Sequence, residues 1–514
     1  MHFPLILCLV GLVACNHHHE RTNQLPGRST IVHLFEWKWT DIADECERFL
    51  APKGFGGVQI SPPNENVIVQ LEDGKRPWYE RYQPMSYILT TRSGNEQDFV
   101  NMTRRCNAVG VRIYADVVVN HMAADNPINR GTAGSTADFK NDYFPAVPYS
   151  QEHFHHPVCS VNDYNNAAEV RSCKLVGLKD LDHSKPHVRE KVAQFLNHLI
   201  SLGVAGLRVD AAKHMWPEDL KNIYSRLDNL NPEFGFAPNS KPYIFQEVIY
   251  YGNEAIHPEE YTSFGDVTEF RVGAELKNVF RGKNALKWLV NWGEQWGLAP
   301  NSTALAFIDN HDTQRSNDVL TYKESRAYKG AIAFMLAHPY GEPRVMSSYF
   351  FSNDKQGPPQ DAQSNIISPS INADDTCGNG WVCEHRWRQI YQMVAFRNVA
   401  RDTSIENWWD NGNNQIAFSR ANKAFIAFNL ENNDLVQNLQ TGLPPGDYCD
   451  VITGTRKGNS CTGTKVTVDG DGRANIVVPA SGEDMHLAIH VGPESSLQAP
   501  TDRRFSGISI SWHG

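Results

Sequence analysis

Short, continuous apolar runs recur along the first three-quarters of the chain, and segments with helical spacing lie between them. The runs at residues 30–35, 56–61 and 111–117 are followed by those around Leu207 and Ile244 and at 261–264, 305–308 and 344–349. Strands that are apolar without alternation are buried on both faces, as in a parallel sheet covered by helices. Between them, Ile42, Cys46, Phe49 and Leu50 repeat at helical spacing within 41–50, and further helices are predicted over 96–108, 188–202 and 217–227. This alternation predicts an α/β chain with eight barrel strands. Periodicity is lost from His121 to about Leu181, where Asn, Asp, Gly, Pro and His dominate, which predicts an irregular inserted subdomain after the third strand. From about Ile416 the texture becomes short strands separated by turns, at 415–419, 424–429, 448–452, 465–468, 474–478 and 486–491, an all-β unit of sandwich or Greek-key type.

Several apolar runs end in polar clusters. Gly206-Leu207-Arg208-Val209-Asp210 continues into Ala211-Ala212-Lys213-His214. Alternation along a strand puts Arg208 and Asp210 on one face, where the guanidinium favours an ionised carboxylate able to act as nucleophile or charge stabiliser. Alone, this pair fits a structural ion pair at a sheet edge equally well. The pattern recurs, however, in Asp116-Val117-Val118-Val119-Asn120-His121, in Tyr243-Ile244-Phe245-Gln246-Glu247 and in Ala306-Phe307-Ile308-Asp309-Asn310-His311-Asp312. In a parallel α/β barrel such strand ends converge on one mouth.

Composition narrows the class. With 514 residues, 41% hydrophobic and 21% charged, the chain suits a soluble protein of more than one domain. The net charge of −10 without a run of Lys or Arg argues against nucleic acid or an anionic membrane as partner. Residues 1–15 read as a cleaved secretion signal, with no second hydrophobic span downstream; Leu12-Val13-Ala14-Cys15 as a lipoprotein cleavage box is the minor alternative. The adjacent His17, His18 and His19 read as a solvated linker. Without Cys8 and Cys15, eight of the ten cysteines remain. Cys377 with Cys383, Cys449 with Cys461 and Cys159 with Cys173 form close pairs in sequence, leaving Cys46 for Cys106; no C-x-x-C spacing supports zinc. Asn101-Met102-Thr103 and Asn301-Ser302-Thr303 are glycosylation acceptor triplets.

These four motifs, in this order, resemble the signature regions of α-amylases, and His33-Leu34-Phe35-Glu36-Trp37 and Cys383-Glu384-His385-Arg386-Trp387 resemble the animal-type, chloride-dependent branch. The resemblance runs from about Ser29 to Val491. It implies a (β/α)8 TIM barrel (25–120 and 182–403), a loop-rich domain B after strand 3 (121–181) and a C-terminal β-sandwich (404–492), with a tail at 493–514. It further implies secreted, endo-acting, retaining hydrolysis of α-1,4-glucosidic bonds in starch, glycogen and maltooligosaccharides by a monomer. The alternatives are an α-glucosidase or transglycosylase of the same barrel family and a catalytically silent carbohydrate-binding relative.

By the same resemblance Asp210 is the nucleophile, Glu247 the general acid/base and Asp312 the stabiliser of the distorted sugar. An apolar strand around Glu247 is expected to raise its pKa. Substrate contacts fall to Trp78, Tyr79, Tyr82, Gln83, His121 and His311, with Lys213 and His214 on the leaving-group side. Arg208, Asn310 and Arg344 match a chloride site. Asn120, Arg171, Asp180 and His214 match a calcium site, Arg171 and His214 through backbone carbonyls. Departures from vertebrate digestive members are Tyr79 in place of a second Trp, the lack of a glycine-rich loop between Arg315 and Leu320, and Thr90 in place of a cysteine.

Overall fold

In the computed structural model, which describes residues 21–498, eight parallel strands close into a barrel. They are β1 (Ser29–Leu34), β2 (Phe55–Ile60), β3 (Arg112–Val117), β4 (Gly206–Val209), β5 (Tyr243–Gln246), β6 (Asp266–Glu269), β7 (Ala304–Ala306) and β8 (Glu342–Ser347). Each strand pairs with its sequence neighbours, and β8 closes on β1 through Ile31↔Arg344 to Leu34↔Ser347. Every residue of these strands is buried, which is why most of them read as continuous apolar runs. The signal expected at residues 1–15, His17 to His19 and residues 499–514 lie outside the described residues.

One expectation is corrected. The sixth strand is Asp266–Glu269, whereas Tyr261 to Phe264 form a turn. Tyr261 is buried with its hydroxyl on the Met215 carbonyl, so its apolar signature comes from packing outside the sheet. The true strand is polar because its side chains are individually partnered. Asp266 pairs with Arg21 and with the Tyr243 hydroxyl, and Glu269 pairs with Arg271.

Between β3 and β4 the chain makes short local pairs, including His121–Met122 with Lys179–Asp180, before the helix Pro186–Ser201 returns it to the barrel. After the helix Arg388–Val399 come β9 (Ile405–Asp410), β10 (Gln415–Arg420), β11 (Ala424–Asn429), β12 (Leu435–Gln440), β13 (Gly446–Cys449), β14 (Lys465–Val468), β15 (Arg473–Val478) and β16 (His486–His490). β9, β10, β11 and β16 form one antiparallel sheet, with β12–β15 and β13–β14 pairs facing it. The sheet is apolar on both sides. Ala417, Phe425, Ala427 and Ile489 pack on the second layer, and Ile416, Phe418, Ile426 and Phe428 join the barrel core. Disulfides join Cys46–Cys106, Cys159–Cys173, Cys377–Cys383 and Cys449–Cys461. Among the described residues no helix is long and apolar enough to cross a membrane.

Gly206 opens the strand that carries Arg208. A Cβ there would stand 2.3 Å from the Tyr243 carbonyl oxygen and 2.9 Å from the Tyr114 ring. A backbone obstacle cannot rotate aside, so Gly206→Ala is expected to cost about 1–3 kcal/mol in urea unfolding. Gly470→Ala, where a Cβ meets nothing within 4 Å, serves as the control. An unchanged midpoint for Gly206→Ala would contradict this close packing of β4 on β5.

Candidate active site

Strand register sets the site. Asp116 on β3 lies beside Arg208 on β4, and Arg208 beside Phe245 on β5. Arg208 is 1% exposed, and its guanidinium reaches three carboxylates. Nη1 donates to Asp116 Oδ1 and Asp210 Oδ1, both at 2.7 Å, and Nη2 donates to Glu247 Oε1 at 2.5 Å. Immediately after Asp210, Ala211 takes a left-handed conformation with φ 49°. That turn directs its N–H to Glu247 Oε2 at 2.8 Å. A strained non-glycine residue between two carboxylates is the kind of local cost that functional sites retain.

The electrostatics follow from this crowding. Burial pushes Asp210 up to about 6, against the downward pull of Arg208 and with the help of Asp116. Glu247 is raised by burial and by Asp210, while Arg208, the Ala211 N–H and Arg344 oppose the rise. Asp312 is raised by enclosure in the cleft and by Glu247 and Asp210; its side chain keeps 41% exposure, so solvent limits the shift. Arg208 does favour the ionised form of Asp210, as its place two residues away on the strand implies, but desolvation and a further carboxylate, Asp116, outweigh it and leave Asp210 above the ordinary carboxylate range.

Above this floor opens a cavity of about 750 Å³, lined by Asp210, Glu247 and Asp312 together with Trp78, Tyr79, Tyr82, Gln83, His121, Lys213, His214 and His311. All the sequence-predicted substrate residues thus share one cleft. Tyr82 stacks on His311 with centroids 4.8 Å apart and donates its hydroxyl to Asp116 Oδ2. His121 Nε2 bonds the Tyr82 carbonyl, Gln83 accepts from the Ala124 N–H, and Lys213 donates to the Ile249 carbonyl. Trp78, Tyr79 and Tyr82 are presented by one 3₁₀ turn whose other two residues point inward. Glu80 pairs with Arg76 and Arg92, and Arg81 pairs with Glu36 at 2.8 Å with both side chains fully buried.

Sequence reasoning missed part of the cleft wall. Tyr164, Leu175, Val176 and Leu178 come from the inserted segment, and Ile249, Tyr251 and Glu254 follow Glu247. The first group has no periodicity to betray it. The second could have been found from its position just after a predicted catalytic strand end.

Arg344 is 2% exposed, donates to Gln59 Oε1 at 2.7 Å and lies over the Phe307 ring. Burial and the nearby Arg208 charge lower it to about 10. Gln59 Nε2 and both ring nitrogens of His33 are buried without a hydrogen-bond partner, and both arginines hold His33 neutral beyond the effect of burial. The Asn310 Oδ1 accepts from the Asp312 and Thr313 N–H groups and the Thr313 hydroxyl, so its amide nitrogen faces away from that turn. Two guanidinium groups and orphaned donors fit a small anion.

Among the described residues no three His, Cys, Asp or Glu side chains gather to hold a metal. The residues expected around calcium are of another kind, mainly amide and carbonyl oxygens, and the structure places them in two couples. His121 pairs with Asp180 across the small antiparallel ladder, which sets Asn120 beside Asp180, and Asn120 Oδ1 is a buried acceptor with no partner. His214 Nδ1 bonds the carbonyl of Val170, the neighbour of Arg171. Asp180 itself pairs with His155 at 2.6 Å and is pushed up to about 6 by burial. An orphaned oxygen beside a buried, desolvated carboxylate fits a hard cation. The Arg171 side chain points elsewhere, to Glu260 and the Tyr261 hydroxyl.

A closed parallel barrel with clustered carboxylates at its strand ends, in an aromatic-lined cleft, defines a barrel glycoside hydrolase. Residues 80–435 match the model of the alpha-amylase catalytic domain, and 406–492 match the alpha-amylase C-terminal all-beta domain. An alpha-amylase of Tribolium castaneum is 60% identical over 466 residues, covering 90% of this chain and 94% of that protein. An alpha-amylase-related protein of Drosophila melanogaster is 56% identical over 95% of this chain and 98% of its own length. A mutant of alpha-amylase I from Eisenia fetida, solved in complex with maltohexaose, superposes with a TM-score of 0.86 at 45% identity, covering 91% of this chain and 98% of its own. The chain belongs to the alpha-amylase family.

Removing the shared cation tests the electrostatics. In Arg208→Leu the carboxylates of Asp116, Asp210 and Glu247 lose their counter-charge, and their folded pKa values, already raised, climb further. The folded state then holds protons that the unfolded chain releases, so the destabilisation grows as pH rises. Urea unfolding is expected to show a loss of about 3–5 kcal/mol at pH 8 and a clearly smaller one at pH 5. An equal loss at both would contradict the assignment.

Proposed function

We propose that the chain is a secreted, monomeric, endo-acting alpha-amylase that cleaves α-1,4-glucosidic bonds of starch, glycogen and maltooligosaccharides with retention of configuration. The observation that carries this reading is the Arg208 fork, which holds Asp210 and Glu247 at hydrogen-bonding distance from the same guanidinium. That arrangement is compatible with the roughly 5–5.5 Å spacing of a retaining carboxylate pair.

Asp210 attacks the anomeric carbon while Glu247, its pKa raised by burial, gives its proton to the departing glycosidic oxygen. The glycosyl–Asp210 ester then breaks as Glu247, now a carboxylate, takes a proton from the water that attacks the same carbon. Asp312, open to the cleft, hydrogen-bonds sugar hydroxyls, and His121 and His311 border the cleavage point. Trp78, Tyr79 and Tyr82 offer faces to sugar C–H surfaces and Gln83 a polar contact, while Lys213 and His214 serve the leaving-group side. Domain limits at 25–120 with 182–403, 121–181 and 404–492 are part of the same reading.

Arg208, Asn310 and Arg344 would hold chloride, whose charge would offset the pull of Arg344 on the Glu247 proton. Asn120, Arg171, Asp180 and His214 would hold calcium, which would fix the inserted segment over the cleft. Four disulfides support an oxidising, extracellular destination.

Activity on starch is expected to fall by about 10²–10⁴-fold in Glu247→Gln and further in Asp210→Asn, with the first product of the wild type in the α-anomeric form by proton NMR. Release of the β-anomer first would overturn retention. In wild type, Asp210 must be ionised to attack, so kcat/KM is expected to decline as pH drops through about 6. A profile flat to pH 4 would remove Asp210 from that role. Chelation of calcium is expected to lower the melting temperature reversibly, and an unchanged one would remove the cation from this reading.

A further inference from the structure

Arg315 lies in the turn after Asp312 and touches more of the cleft than its own turn requires. Its Nε donates to the His311 carbonyl at 3.0 Å, and its Nη1 donates to the carbonyls of Asp354 at 3.0 Å and Gln356 at 3.3 Å. Nη2 donates to the Tyr349 hydroxyl at 2.8 Å, which in turn donates a hydrogen bond to the Gln356 carbonyl. The same guanidinium lies over the Trp78 indole with its carbon 4.9 Å from the ring centroid, and against Phe351 at 4.5 Å. Trp78 Nε1 donates at 2.8 Å to the Asp354 carbonyl, so Trp78 and Arg315 share one acceptor. One planar cation therefore joins three parts of the mouth: the His311–Asp312 turn, the 349–357 segment and the aromatic turn that begins at Trp78.

We propose that Arg315 is a positioning residue for substrate binding, which fixes the Trp78 ring as a sugar-stacking surface relative to Asp312. This rests on the reading of the cleft as a glucan site. The guanidinium covers one face of the indole, attracted by the ring's quadrupole. The ring cannot rotate freely while its Nε1 is held by the carbonyl that Arg315 also holds. Lysine has one point charge in place of a planar fork. It can keep the positive field that Asp312 feels from this position, but it cannot satisfy four acceptors while its charge stays over the Trp78 ring.

Arg315→Lys separates the two roles. Its KM for starch is expected to rise roughly tenfold, on the scale of a desolvated cation–π contact, with kcat and both limbs of the pH profile unchanged. In a Trp78→Ala background the same substitution is expected to change KM by less than about twofold, since the ring it positions is gone. A second measurement does not depend on turnover. In Glu247→Gln protein, the Kd for maltoheptaose by calorimetry should show the same loss and the same collapse when Trp78 is removed. A tenfold loss that persists without Trp78, or one that falls on kcat with KM unchanged, overturns the proposal. An inert wild type whose maltoheptaose affinity still couples Arg315 to Trp78 would sink the hydrolase reading and leave the positioning role standing.

Discussion

At the floor of the cleft one buried guanidinium sits among three carboxylates that would repel one another without it. Arg208 is supplied by β4, Asp116 by β3, Glu247 by the end of β5, and Asp210 by the residue just past β4. The interaction spans three adjacent staves of the barrel, so the pairing of β3, β4 and β5 brings these four side chains together. It does not make the carboxylates ordinary. Burial and mutual repulsion keep all three raised above the ordinary carboxylate range, the direction that a general acid such as Glu247 requires.

The surrounding architecture serves that arrangement. Gly206 lets β4 approach β5 closely enough for the fork to reach Glu247, and Ala211 turns sharply to give Glu247 a second hydrogen bond. The aromatic wall is fixed from behind by fully buried Arg81 and Glu36 and by the Glu80 pairs. Arg315 grips it from the Asp312 side. Both devices hold flat rings in a polar mouth through charge, because apolar packing alone would not orient them.

Much of this was legible in the sequence, and for a physical reason. Barrel strands buried on both faces must be apolar, and the polar residues at their ends stand out against that background, as at Asp210, Glu247 and Asp312. The sixth strand escaped because Asp266, Thr268 and Glu269 are buried, the two acids beside private partners, so its pattern is polar while the neighbouring turn is aromatic. Among the β-sandwich strands, β9 and β12 escaped too, since β9 is an edge strand and β12 buries only Leu435 and Leu439 well. In the site, Leu175, Val176 and Leu178 reach the cleft through the path of an irregular segment, which no local pattern encodes. Asp116 opens the motif Asp116-Val117-Val118-Val119-Asn120-His121, but its partnership with Arg208 becomes visible only through strand register.

The most direct test of the account is to trap the covalent intermediate on the wild-type enzyme with a fluorinated glycosyl fluoride and map the labelled peptide by mass spectrometry. The label is expected on the peptide that contains Asp210, with none on those containing Glu247 or Asp312. Label on either of the other two carboxylates, in an enzyme that still hydrolyses starch, would contradict the assignment of Asp210 as the nucleophile held by Arg208.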